Sequence, residues 1–237
     1  MTEPLVLLPG MMCDARLFWP QINALSRDHA VMVAPITRGD TIEEIAEGLL
    51  DQLPARFALA GLSMGGIVAM EILRRVPERV VRLCLMDTDP LGETPQIAAM
   101  REPWIAQARA GRLDIAMEES LKPAFLAPGP ERMTLLRFMY EMAQDLGAEL
   151  FVRQSRALQR RVDQQDVLRR YRGPTLILCG EHDGLTPVKR HEAMAALMPN
   201  ARLVIVPEAG HLPTLEQPEA VTQELRAWLD GGDRPPR

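Results

Sequence analysis

Gly61-Leu62-Ser63-Met64-Gly65-Gly66 decides the reading of this chain. The segment matches G-x-S-x-G with one further glycine. It lies between an apolar run at residues 57–60, read as a strand, and residues 64–75, read as a helix. A turn this sharp holds its serine in a strained backbone conformation and lifts the hydroxyl above the sheet. Glycines two before and two after keep side chains out of the turn. The serine also opens a helix, whose unpaired N–H groups favour developing negative charge. Two other readings are an ordinary glycine-serine turn and a phosphate loop; the second fails because the Lys-Ser/Thr ending is missing.

Working outward, residues 4–8 form an apolar run ended by Pro9 and Gly10 and read as the first strand. A helix should begin near Trp19, since Pro20 suits only a first turn, and reach about Leu25. Residues 30–34 read as a strand and 41–53 as a helix, with Asp40 as N-cap and Glu43 completing a capping box. Residues 80–86 read as a fourth strand. The pattern resumes with strands at 175–179 and 202–206 and helices at 188–197 and 218–229. Strands apolar on both faces, alternating with helices, imply an α/β fold: a mostly parallel sheet of about six strands with helices on both faces.

Between about Asp89 and Tyr171 no strand pattern occurs. Met, Ala, Arg, Glu and Leu dominate, with breaks at Pro103, Gly111, Pro123, Pro128 to Pro130 and Gly147, so four or five helices are expected. The domain reading is therefore a core of residues 1–88 and 172–237 with a helical lid insertion at 89–171, over the carboxyl edge of the sheet where such folds bind ligands. The tail from Gly231 to Arg237, rich in Gly and Pro, is expected to fray.

Apolar residues make up 47% of the 237, charged residues 25%, and the net charge is −5, the balance of an ordinary globular chain. No basic stripe stands out, which argues against nucleic acid as a partner. No secretory leader and no apolar stretch of membrane-spanning length is visible, so no membrane partner is expected. Cys13, Cys84 and Cys179 lie far apart without a CxxC pair, and read as small buried hydrophobes in a reducing, cytoplasmic compartment. Dinucleotide fingerprints, phosphate cradles and metal-ligand clusters do not occur, so no cofactor and no metal is expected. A small-molecule substrate is the expected partner, and the oligomeric state is not readable.

Apart from the helical insertion, the chain resembles the α/β-hydrolase superfamily. It is most like small bacterial members with a leading Leu-Pro-Gly-Met segment, here Leu8-Pro9-Gly10-Met11, where many others carry His-Gly. In that family the acid commonly follows the strand after the lid and the histidine follows the last strand. Those positions read Cys179-Gly180-Glu181-His182-Asp183-Gly184-Leu185-Thr186-Pro187 and Pro207-Glu208-Ala209-Gly210-His211-Leu212-Pro213. The resemblance implies Ser63 as nucleophile, His211 as its base and Asp183 as the orienting acid, in the superfamily's chain order. Asp87 or Asp89, after the preceding strand, is the alternative acid. His182 is a rival base, but a residue beside Asp183 is poorly placed to bond that carboxylate and also reach Ser63.

The resemblance further implies the backbone N–H groups of Met11 and Met64 as oxyanion donors. Met12, Trp104, Phe125 and Met139 are candidate substrate contacts in an apolar pocket, with Leu126, Phe138 and Met142 also on offer. Arg101, Arg109, Arg137 and Arg153 either meet a substrate carboxylate or form solvated faces. The implied activity is cleavage of a carboxylic ester of a small, largely apolar molecule through an acyl-enzyme. The same triad would also serve C–C bond hydrolysis, enol-lactone opening, acyl transfer or perhydrolysis. A reading from a different class is a catalytically silent ligand binder.

Overall fold

Leu5, Val6, Leu7 and Leu8 are all fully buried, which a strand achieves only with cover on both faces. In the computed structural model, which describes residues 3–231, they form β1 (Leu5–Leu8). After it come α1 (Trp19–Leu25), β2 (Val31–Val33), α2 (Ile42–Leu50), β3 (Phe57–Leu62), α3 (Met64–Arg75) and β4 (Val80–Met86). Five helices fill the stretch up to the next strand: α4 (Pro95–Arg109), α5 (Leu113–Ser120), α6 (Arg132–Leu146), α7 (Ala148–Arg160) and α8 (Gln165–Arg170). A 3-10 turn, Pro123–Phe125, lies among them. The chain then runs through β5 (Thr175–Gly180), α9 (Val188–Ala196), β6 (Ala201–Val206), α10 (Pro213–Glu216) and α11 (Pro218–Leu229).

The six strands form one sheet in the order β2-β1-β3-β4-β5-β6, every pair parallel. Alternation along each strand divides the core. Val6, Leu8, Leu59, Leu83, Leu85 and Ile177 pack with α2, α3 and α9 on one side. Leu5, Leu7, Ala60, Cys84, Leu176 and Leu178 pack with α1 and α11 on the other, including the fully buried Trp228. The chain reverses direction across the sheet between β1 and β3, and the turns leaving their carboxyl ends therefore flank a crevice.

Two local expectations are corrected. The N-cap of α2 is Thr41, not Asp40: the Thr41 hydroxyl accepts the Glu44 N–H at 3.1 Å, and Glu44 reaches back to the Asp40 N–H at 2.8 Å. The box is displaced by one residue because the Asp40 side chain turns outward, 3.6 Å from Arg153. Pro103 does not break the chain: α4 runs through it. Both Pro103 and Ala99, whose carbonyl loses its helical partner, are exposed, so the break in the bonding ladder falls on the solvent side of the helix. The tail at 232–237 lies outside the described residues. Among those described, no helix is long and apolar enough to cross a membrane.

Replacing Thr41 by Ala should lower unfolding free energy by about 1 kcal/mol in urea titrations, whereas Asp40→Ala should change it by less than about 0.5 kcal/mol. The opposite ranking would return the cap to Asp40.

Candidate active site

Ser63 has φ +54° and ψ −119°, a conformation side chains rarely adopt, at the junction of β3 and α3. Its N–H donates to the Met86 carbonyl at 2.9 Å, and its carbonyl accepts the N–H groups of Gly66 and Ile67. The surrounding glycines answer to close approach. A β-carbon at Gly65 would lie 2.1 Å from the Leu8 carbonyl oxygen, and one at Gly61 would lie 2.3 Å from that of Gly65. At Gly66 it would meet Thr88 at 2.6 Å. The Thr88 hydroxyl in turn donates to the Ser63 carbonyl at 2.8 Å, and its N–H donates to His191 Nε2 at 3.1 Å. Burial lowers the pKa of His191, which keeps the ring a neutral acceptor there.

His211 and Asp183 come from the loops after β6 and β5. His211 Nε2 is 3.0 Å from Ser63 Oγ, and His211 Nδ1 is 2.9 Å from Asp183 Oδ2. Since Asp183 accepts, the tautomer that fits has the proton on Nδ1 and leaves Nε2 free to take the serine hydroxyl proton. Asp183 also accepts the N–H groups of Leu185 and Thr186, at 2.8 and 2.9 Å, and the Thr186 hydroxyl at 2.5 Å. Burial opposes its charge, but attraction to His211 and the bonds from His211 and Thr186 win, holding the carboxyl below its usual range. The His211 loop is fastened from outside the sheet. Its N–H donates to the Phe125 carbonyl at 2.8 Å, and Glu216 accepts the N–H groups of both Leu212 and Ala127.

No hydrogen bond joins His211 to Asp87 or Asp89 among the described residues. Asp87 is fully buried beside Asp183, and one of its oxygens accepts the Gly180 N–H at 2.9 Å. Burial, then the nearby charge of Asp183, raises its pKa well above the usual value, so it stands beside the acid as a neutral carboxyl. Asp89 is taken up by Arg190 at 2.6 Å. His182 sits at the surface, 3.9 Å from Glu181.

The turn after β1 faces the serine: a β-carbon at Gly10 would come 3.5 Å from that of Ser63. Met12 has φ +55°, and its N–H donates to the buried Gln154 Oε1 at 2.8 Å, while Gln154 Nε2 donates to the Ile36 carbonyl. The N–H of Met11 meets no acceptor among the described residues. That of Met64, first in α3, lacks an intrahelical one. Both residues line a cavity of about 360 Å³ that Ser63 and His211 also border. Met12, Trp104, Phe125, Met139 and Arg101 are on its wall; Arg109, Arg137 and Arg153 are not, and Leu126 and Met142 are committed to the core. Phe138 packs against that core. Gln154, Thr88 and His191 were not singled out by sequence. Their work is bonding to distant backbone, which leaves no motif.

Among the described residues, two groups of side chains lie close enough to share a cation. One joins Asp87, Cys179 and Asp183, whose ligand atoms fall within 4.8 Å of one another. Burial and the nearby charges of Asp87 and Asp183 push the Cys179 thiol well up. The other, Glu181, His182 and Glu208, lies at the surface, with both glutamates exposed.

A doubly covered parallel sheet with a serine at the tight turn after β3 defines the class, a hydrolase of the α/β kind. The family pattern described as "Alpha/beta hydrolase family" matches residues 5–224, and the chain belongs to that family. It is 31% identical over 199 residues to the pimeloyl-acyl-carrier-protein methyl ester esterase of Aromatoleum aromaticum, covering 77% of each chain. The esterase of the same name from Nitrosomonas europaea is 28% identical over 198 residues, covering 76% of this chain and 74% of the relative. Among solved structures, a thermophilic esterase from Thermogutta terrifontis superposes with a TM-score of 0.87 at 28% identity, covering 98% and 91% of the two chains. An enol-lactonase from Burkholderia xenovorans shares the fold, with a TM-score of 0.84 at 22% identity, covering 97% and 92%.

The neutral state of Asp87 has a thermodynamic signature. Its folded pKa lies above the unfolded one, near 3.9, so its contribution is intact below about pH 3.9 and is lost as pH rises toward the folded value. Asn at this position keeps an acceptor for Gly180 and never ionises. The Tm gain of Asp87→Asn over wild type should therefore widen between about pH 4 and pH 8; a gain independent of pH would contradict the assignment.

Proposed function

We propose that the protein is a serine hydrolase that cleaves a carboxylic ester of a small, largely apolar substrate through an acyl-enzyme. The carrying observation is the unbroken relay from Asp183 through His211 to Ser63, with links of 2.9 and 3.0 Å, bordering a cavity of mainly apolar lining. Ser63 Oγ attacks the acyl carbonyl carbon while His211 Nε2 takes its proton. The same nitrogen returns the proton to the departing alcohol. Water then attacks the acyl-enzyme with His211 again as base, releasing the acid and restoring the serine. Asp183 holds the ring in one tautomer and offsets the charge it gains.

The tetrahedral oxyanion is received by the N–H groups of Met11 and Met64, with one such donor worth about 3 kcal/mol in the transition state. Gln154 supports this reading, because tying down the Met12 N–H leaves that of Met11 as the donor free in the turn. Trp104, Phe125, Met12 and Met139 form the apolar wall, and the helices within 89–171 act as a lid over the sheet edge. The relatives' names, which specify a methyl ester, agree with an ester as the bond broken. The buried positions of Cys13, Cys84 and Cys179 fit work in the reducing cytoplasm.

A fluorophosphonate probe should label the wild type and leave Ser63→Ala unlabelled; an unlabelled wild type would point to a silent binder. His211→Ala should reduce turnover of p-nitrophenyl butyrate by at least about a thousandfold, whereas near-wild-type turnover would remove it as base. Gln154→Ala should lower kcat about tenfold through the loosened turn, and an unchanged kcat would show that the turn holds without it.

A further inference from the structure

One side of the cavity is charged. Asp89, Glu93, Arg101, Arg161 and Arg190 all border it, setting three guanidinium groups against two carboxylates. Glu119 and Lys122 also border it, both exposed and opposite in sign. Glu93, its side chain 1% exposed, is gripped by Arg101 through Nε and Nη2. Asp89, 3% exposed, accepts Arg190 Nη1 at 2.6 Å and the Leu91 N–H at 2.9 Å.

Arg161 is left over. Its side chain is 13% exposed and approaches Asp89 no closer than 3.6 Å, makes no hydrogen bond among the described residues, and has a buried Nε without a partner. Burial lowers its pKa and the charges of Asp89 and Glu93 oppose that, with Arg101 and Arg190 acting against it again. A mostly buried guanidinium with unused donors is costly to maintain unless something supplies the acceptors. Its position is also significant. Thr88, bonded to the Ser63 carbonyl, directly precedes Asp89, so the charged group shares a wall with the serine.

We propose that Arg161, flanked by Arg101 and Arg190, is an anion subsite, and that the preferred substrate is a half-ester whose free carboxylate docks there while its ester reaches Ser63. This deepens the ester-cleaving reading and rests on it. A carboxylate matches the planar guanidinium fork, and its single charge balances the single surplus. A phosphate's second charge would face Asp89 and Glu93 unneutralised.

The test uses monoethyl esters of the straight-chain diacids from succinate to suberate, each set against the ethyl ester of the monoacid of equal carbon number. Calorimetric titration of the Ser63→Ala protein should show at least one half-ester binding about tenfold or more tightly than its neutral counterpart. That ratio should collapse toward one in Ser63→Ala/Arg161→Gln. Equal binding of every matched pair overturns the subsite, as does a preference that survives loss of Arg161. Should the double variant not fold, Ser63→Ala/Arg161→Met is titrated in its place, and a preference that survives there overturns the proposal equally. Turnover by the wild type separates the two readings. Half-ester binding without cleavage of either ester sinks the ester-cleaving reading and leaves the subsite standing.

Discussion

The Leu8 carbonyl oxygen occupies the place where any side chain at position 65 would have to begin. This contact between β1 and the first turn of α3 sets the distance at which the two elements meet. It thereby fixes the bend that carries Ser63 into a positive φ. With the serine so placed, the Gly10 turn lies against it on one side and Thr88 on the other. The relay to His211 is a consequence of the same constraint, because all of these loops leave the same edge of one parallel sheet.

Electrostatics around the relay depends on two aspartates in opposite states. Asp183 is surrounded by donors and carries its charge; Asp87, a strand-width away, is surrounded by little and does not. Two buried carboxylates this close cannot both ionise cheaply, so the better-bonded one settles the assignment. Raising the Asp87 pKa in this way reduces competing negative charge beside the relay.

What was legible in the sequence had local or family-wide form. The serine turn reveals itself because its constraints fall on six adjacent residues. The strand runs reveal themselves because burial on both faces demands unbroken apolar stretches. The positions of Asp183 and His211 were legible through family resemblance, since nothing in their spacing alone links residues 28 apart. Gln154 was invisible: an uncharged side chain serving a backbone N–H 142 residues away has no signature in one sequence. Arg161 was hidden among many arginines, because its distinction is a lack of acceptors that only packing reveals. The misplaced cap on α2 arose where Asp40 and Thr41, both good caps, stand side by side.

Gln154 also changes how the stretch between β4 and β5 is to be regarded. Through it, α7 holds the backbone beside Ser63, and Phe125 and Ala127 hold the His211 loop from the same stretch. The helices between β4 and β5 are thus a structural buttress. Any graft that exchanged them for a different helical segment would have to bring its own acceptor for Met12 and its own brace for His211. A change in those helices is for that reason mechanically linked to the geometry around Ser63 and His211.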